Sequence, residues 1–449
     1  MKRFLLLACI LVVAVPAAYA DELWKAGAAS VVITPEHSMW MAGYGARKTP
    51  STGKRTELFA KALALEDAEA NRGVIITLDL VGIDRRFAQA VTKRLEKEFD
   101  LSREQVALCT SHTHSGPVVG RNLAPLHYLT LDEQQQEKID AYEEDLREKL
   151  VELTGQALDA LSPARLQQGS GKATFAVNRR ENKPESDVPS WREKGELKDP
   201  VDHDVPVLSV RDPDGNLKAV LFGYACHATV LQASEWNGDY PGYAQAKLER
   251  DHPGAVALFW AGCGGDQNPL PRRELPLAEQ YGADLADRVT DVLEAPMAEA
   301  APSLSVSFRE IDAALEVPSR EEISANAKSE NRFEVARARY LLRKMEEKGA
   351  IDGVYPYPVG VWKIGDSIDF VFLGGEVVVD YALRLKRERH GTSTWVAAYA
   401  NDVMAYIPSR RVLEEGGYEG GGSNVYYGLP GLWKDSIEET VVDAVNKTP

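Results

Sequence analysis

Val106-Ala107-Leu108-Cys109-Thr110-Ser111-His112-Thr113-His114-Ser115-Gly116-Pro117 is the stretch from which the rest of this chain can be read. Gln105 to Thr110 has the look of a short apolar strand, and the His-x-His, Ser, Gly, Pro run after it cannot continue as regular structure. Such a segment carries two imidazoles and a hydroxyl to the mouth of a sheet, where enzymes built on open sheets keep their ligand sites. On an extended segment, side chains at i and i+2 point the same way. His112 and His114 are therefore expected to face one metal ion together, or one the metal and the other the substrate. The plain alternative is a pair of surface loop histidines.

Working outward, strands alternate with helices. Lys61 to Glu66 and Gly73 to Leu80 read as strands joined at Ala70-Asn71-Arg72, and Arg85 to Phe99 as a helix with Phe87, Val91, Leu95 and Phe99 on one face. A long amphipathic helix is predicted over Leu131 to Leu161. Val205 to Arg211 and Leu217 to Tyr224 form a hairpin about Asp212-Pro213-Asp214-Gly215. Helices at Tyr240 to Asp251 and Glu274 to Leu293 flank a buried strand at Val256 to Trp260, and Leu304 to Ala313 is extended. Arg320 to Lys348 reads as one charged helical cover. Strands at Val361 to Ile364, Ile368 to Leu373 and Thr394 to Ala398 follow, with a helix from Glu376 to Arg389 between the last two. The alternation predicts an α/β fold of mixed sheets covered by helices, and the hairpins argue against a purely parallel sheet.

Residues 1–20 read as an export signal: Lys2 and Arg3, an apolar middle from Phe4 to Val15, then Ala18-Tyr19-Ala20 before Asp21. The expected product is a periplasmic or secreted protein in which residues 21–449 form one large domain or two lobes. Losing Lys2 and Arg3 deepens the formal charge of −16 by two, a field that disfavours nucleic acid and anionic head groups. Cys109, Cys226 and Cys263 are too few for a disulfide framework and are expected as buried packing residues.

Four other places set a polar group after an apolar strand: Cys226-His227-Ala228-Thr229; Gly374-Gly375-Glu376, with Glu376 in the first turn of a helix; Tyr399-Ala400-Asn401-Asp402-Val403-Met404-Ala405-Tyr406-Ile407-Pro408; and Trp260-Ala261-Gly262-Cys263-Gly264-Gly265-Asp266-Gln267-Asn268-Pro269. Each also has a bland reading: a core histidine, a glutamate favoured by the helix dipole, a half-buried aromatic, a tight turn. Trp236, Trp260 and Val354-Tyr355-Pro356-Tyr357-Pro358 are candidates to line a pocket, or simple packing.

Taken in order, these segments resemble the catalytic domain of the neutral/alkaline ceramidase family, secreted or lumenal zinc amidases. The likeness runs from about Ala26 to Gly420 and implies that residues 21–449 are one catalytic domain. It includes Ala26-Gly27-Ala28-Ala29-Ser30-Val31-Val32-Ile33-Thr34-Pro35, Met41-Ala42-Gly43-Tyr44, the His-x-His motif, Asn178-Arg179, Gly238-Asp239-Tyr240-Pro241-Gly242-Tyr243-Ala244 and Tyr418-Glu419-Gly420. The resemblance implies Zn²⁺ held by His112, His227, Glu376 and Tyr406, with a water activated for attack on an amide carbonyl. It places His114 and Arg179 as proton and charge handlers, Tyr406 also at the developing oxyanion, and Asp266 in the loop beside them. The implied substrate is a small-molecule or lipid N-acyl compound, with peripheral membrane contact left open. Two departures stand out. The loop Gly265-Asp266-Gln267-Asn268-Pro269 lacks the serine of the family's Gly-Asp-Val-Ser-Pro-Asn, and an immunoglobulin-like C-terminal domain is expected to be absent. The missing serine keeps two alternatives in view: an ester or lactone hydrolase on the same centre, and a metal-retaining binding protein.

Overall fold

The computed structural model describes residues 23–448, so the predicted export signal lies outside the described residues. The larger sheet runs Val256–Ala261, Leu217–Tyr224, Asp204–Arg211, Ser162–Lys172, Trp24–Val32, Phe59–Glu66, Arg72–Leu78, Val106–Thr110, with Ala298–Ala300 added beside Ser162–Lys172. Its two outermost pairings are parallel and those between are antiparallel. A second sheet runs Leu304–Ala314, Val354–Ile364, Ile368–Leu373, Ser393–Ala397, with only its last pairing parallel.

The two sheets share a core in which Trp24, Ile75, Leu221 and Trp260 meet Trp362, Phe370, Phe372 and Trp395. Two single bridges, Cys109 to Ala400 and Gly262 to Ala397, tie the sheets together near strand ends. Helices Arg85–Phe99 and Glu133–Asp159 share a second core with the strands around Phe59–Glu66 and Arg72–Leu78. Asp239–Asp251, Leu275–Glu294, Val379–Glu388 and Ile437–Asn446 enclose a third. The fold is thus α/β, with mixed sheets covered by helices. Among the described residues no helix is long and apolar enough to cross a membrane.

Local chemistry accounts for most boundaries. Asp84 accepts a hydrogen bond from Phe87 N and starts Arg85–Phe99, which buries Phe87, Val91 and Leu95 and ends at Asp100 with φ 55°. Three expectations need correction. Trp24–Val32, a strand inside the larger sheet, was not predicted, because Ala-Gly-Ala-Ala lacks the β-branched residues that signal a strand. Those small residues let the long helix sit close: a Cβ on Gly27 would lie 2.2 Å from the Ala157 carbonyl oxygen. The segment expected as one helix over 320–348 divides into Arg320–Asn326 and Arg332–Lys348, each with its own cap, at Ser319 and Asn331. The aromatics follow the packing reading: the run from Val354 begins a strand, where Tyr357 Oη donates to the Gly374 carbonyl, and Trp260 packs in the inter-sheet core with its ring 5.0 Å from that of Phe370. Finally, Glu376 does not open a helix; it forms a short strand pair with Tyr406, and the helix begins at Val379.

Candidate metal centre

Val106–Thr110, Leu217–Tyr224 and Ile368–Leu373 each end two or three residues before a candidate side chain: His112, His227 and Glu376. The His-x-His segment is not extended. His112 takes the left-handed conformation, φ 59°, so strand alternation does not bring the two imidazoles together; a turn does. Tyr399 and Asn401 are left-handed as well, φ 55° and 64°. Left-handed non-glycine backbone costs energy that surrounding structure must over-determine, and such residues gather at functional sites. Here Asn401 N and Oδ1 bond to the backbone of Leu108, and Tyr399 stacks on His112 with ring centroids 4.2 Å apart.

The atoms converge closely. Glu376 Oε2 lies 3.1 Å from His112 Nε2 and 3.0 Å from His227 Nε2; Tyr406 Oη lies 3.2 Å from His227 Nε2; and the Nε2 atoms of His114 and His112 are 3.0 Å apart. Parallel register sets Glu376 directly beside Tyr406. His112, His227, Glu376 and Tyr406 are at most 3% exposed, while His114 is only partly covered.

Whether these residues suit a cation can be tested on their protons. His227 Nδ1 sits 2.6 Å from the Gly264 carbonyl oxygen, and His112 Nδ1 sits 2.6 Å from that of Val81. A carbonyl only accepts, so each Nδ1 carries a proton, and a ring in its neutral form then turns its Nε2 lone pair inward. Burial, then the nearby Arg179 charge, pushes His227 down to about 4, so its ring is neutral at ordinary pH. The His227 lone pair thus faces a buried carboxylate oxygen, Oε2, that receives no hydrogen bond, and His112 Nε2 faces the same oxygen. That arrangement is repulsive unless a positive centre lies between the groups. A divalent ion with ligands at about 2 Å in tetrahedral array spaces them about 3.3 Å apart, close to what is seen. Histidine, carboxylate and phenol oxygen form a set such an ion accepts, and the carbonyls behind each Nδ1 are the supporting contacts that metal-bound histidines use. His112, His114 and His227 together could hold a metal ion. His114 can either share it or donate to His112 Nε2; burial and the two other imidazoles lower its pKa well below the usual value.

Arg179 closes one side. Its Nε donates to Glu419 Oε1 at 2.7 Å, which turns the rest of the guanidinium toward Tyr406 Oη at 3.0 Å and Asn268 Oδ1 at 3.2 Å. Asn268 stands in the loop that lacks a serine and presents its carbonyl oxygen to Arg179. Asp266 is placed differently from the other candidates: it is fully buried behind the cluster, accepting from Asn178 Nδ2, Gln267 Nε2 and Val379 N. It touches none of the converging atoms and fixes the loop and the Asn178-Arg179 backbone instead. Gly265 allows this loop to pack closely, since a Cβ there would lie 2.7 Å from the Glu376 carbonyl. The three cysteines are free and buried.

Sequence reasoning missed several contributors. Tyr427 Oη hydrogen-bonds Glu376 Oε1, leaving Oε2 for the histidines. Gly43, with φ +91°, carries the His114 ring directly over its Cα: a Cβ would meet Nδ1 at 2.4 Å. Tyr399 had no signal beyond standing in a quoted polar stretch, and Tyr427 had none.

Residues 24–269 match the family described as neutral/alkaline non-lysosomal ceramidase, N-terminal. The chain belongs to this family. Neutral ceramidase B of Dictyostelium discoideum is 26% identical over 271 residues, 56% of this chain and 36% of the relative, so the chain spans about a third of that protein's length. The crystal structure of neutral ceramidase from Pseudomonas aeruginosa superposes with a TM-score of 0.72 at 20% identity, covering 95% of this chain and 74% of that one. A ceramidase complexed with C2 gives 0.73 at 20% identity over the same shares. At that identity the structures establish a shared fold.

Proposed function

We propose that this family member is a secreted, zinc-dependent hydrolase that cleaves an N-acyl amide, either a ceramide-like lipid or a smaller N-acyl compound. The observation that carries it is the convergence of the buried Nε2 atoms of His112 and His227 on the Glu376 oxygen that receives no hydrogen bond. In this reading His112, His227, Glu376 and Tyr406 hold the ion. A bound zinc ion would polarise the scissile carbonyl and lower the pKa of a coordinated water toward neutrality.

The remaining roles belong to the protein. Arg179, its charge disfavoured by burial but more than restored by Tyr406 and Glu419, sits with Tyr406 where negative charge develops on the carbonyl oxygen. His114, partly open to solvent and neutral, stands where it can take a proton from the attacking water and hand it to the departing nitrogen. Asn268 aligns Arg179, and no side-chain nucleophile is required, since water supplies the attacking oxygen.

The experiment combines metal content by mass spectrometry with rates on paired amide and ester substrates sharing one acyl chain. About one zinc per chain and release of acid from the amide are expected. Activity confined to the ester moves the function to ester hydrolysis, and one zinc per chain with no turnover of any substrate makes this a binding protein. The mass of the exported protein checks cleavage after Ala20.

A further inference from the structure

The surface beside His114, a partly exposed residue, carries positive charge that amide hydrolysis alone does not use. Tyr44 packs its ring on His114, centroids 4.8 Å apart, and guanidinium groups flank that ring, Arg47 at 5.3 Å and Arg273 at 5.4 Å from its centre. Arg273 is exposed and tethered by a single hydrogen bond, Nη1 to Tyr44 Oη at 3.0 Å, which leaves its other N–H groups free. Arg47 is 8% exposed and donates to the carbonyls of His114 and Ala233, and its Nε has no partner. Neither arginine has a carboxylate within ion-pair reach among the described residues. The acids nearby are already engaged: Glu185 pairs with Arg272, and Asp239 accepts from the backbone of Val230, Leu231 and Tyr240. In a chain of formal charge −16, two guanidinium groups without an ion-pair partner beside the candidate site are an anomaly with a chemical meaning. A free guanidinium edge beside a second buried cation suits a bidentate anion.

The other end of the row His114, His227, Tyr406 is aromatic. Tyr418, 47% exposed, packs on Tyr406 at 5.3 Å and on Tyr426 at 6.3 Å, a surface fit for an acyl chain.

We infer that the amine half of the substrate bears an anionic group, a carboxylate or sulfonate, held by Arg273 within the field of Arg47. This rests on the hydrolase reading above. The row fixes two ends: the acyl carbonyl lies toward Arg179 and Tyr406, and the substituents on the departing nitrogen lie at the other end, toward His114, Tyr44 and Arg273. The substrates are then N-acyl amino acids or N-acyl aminosulfonates. Water supplies the hydroxyl that bonds to the acyl carbon and a proton to nitrogen, the C–N bond breaks, and a fatty acid and a free amino acid leave.

The test follows laurate release by the metal-loaded enzyme from N-lauroylglycine, N-lauroyltaurine, the neutral N-lauroylglycinamide and a short-chain ceramide, with Arg273→Ala and Arg273→Lys as variants. We expect kcat/KM for an anionic substrate at least tenfold above the neutral amide. That preference should fall about tenfold in Arg273→Ala, through KM, and recover partly in Arg273→Lys. Carboxylate and sulfonate arms tell which anion fits. Equal rates on neutral and anionic amides, or a preference unchanged in Arg273→Ala, overturn the inference while leaving the amidase standing. If no amide is cleaved, the hydrolase reading falls, and calorimetric binding then decides the anion site: tighter binding of N-lauroylglycine than of its amide, lost in Arg273→Ala, supports it, and equal binding refutes it.

Discussion

Replacing Gly43 with alanine tests the whole arrangement at a position outside the candidate metal ligands. The backbone there has φ +91°, and its N–H donates to His127 Nε2 at 3.1 Å, so the conformation cannot relax without losing that bond. Holding an alanine in left-handed space costs about 1–2 kcal/mol. The new methyl would also stand 2.4 Å from His114 Nδ1, 2.5 Å from Cγ and 2.9 Å from Cβ, contacts that no rotation about the ring's far end relieves. The imidazole cannot simply retreat, because Tyr44 and His112 pack it at centroid distances of 4.8 and 4.7 Å. Overpacking of this kind costs about 1–3 kcal/mol. Gly43→Ala should therefore lose about 2–5 kcal/mol by denaturant unfolding, with kcat down at least tenfold and zinc content retained, since His112, His227 and Glu376 stay in place. Gly53→Ala is the control, because a Cβ there meets nothing within 4 Å. A Gly43→Ala protein as stable and as active as the parent would refute the packing argument and remove His114 from the site.

Tyr427→Phe removes the hydrogen bond that orients Glu376, so metal affinity by competitive chelation should weaken about 10- to 100-fold; unchanged affinity would show that Glu376 is held by its backbone alone. Asp402 is buried, and that burial pushes its carboxyl from 3.8 up to about 7, against a hydrogen bond from Tyr355. The folded protein therefore binds this proton more tightly than the unfolded chain, and stability falls as pH rises from about 4 to about 7, by up to about 4 kcal/mol from this group. Asp402→Asn should flatten that slope in thermal melts taken across the range; an identical slope excludes Asp402 as its source.

Much of the fold was legible because its signals are local. Phe87, Val91 and Leu95 repeat at helical spacing and bury one face; Asp212-Pro213-Asp214-Gly215 dictates a hairpin. What failed was where small residues took the place of a strand signal, as in Trp24–Val32, or where a cap interrupted a continuous pattern, as at Asn331. At the site, the motif after Thr110 pointed to His112 and His114, yet the reason given was incorrect, since left-handed backbone and not strand alternation turns them together. Asp266 looked like a site residue from its glycine-rich loop, whereas its hydrogen bonds hold that loop from behind.

The sequence by itself determined the alternation of strands and helices, the family and the residue types able to bind a metal, because periodicity, turn chemistry and side-chain chemistry are properties of neighbours along the chain. Only the tertiary structure decided that Glu376 pairs in register with Tyr406, that Tyr427 and Tyr399 support the cluster, and that Gly43 carries His114. Those contacts join segments far apart in the chain, and their geometry is set by how two sheets pack, which no local pattern encodes.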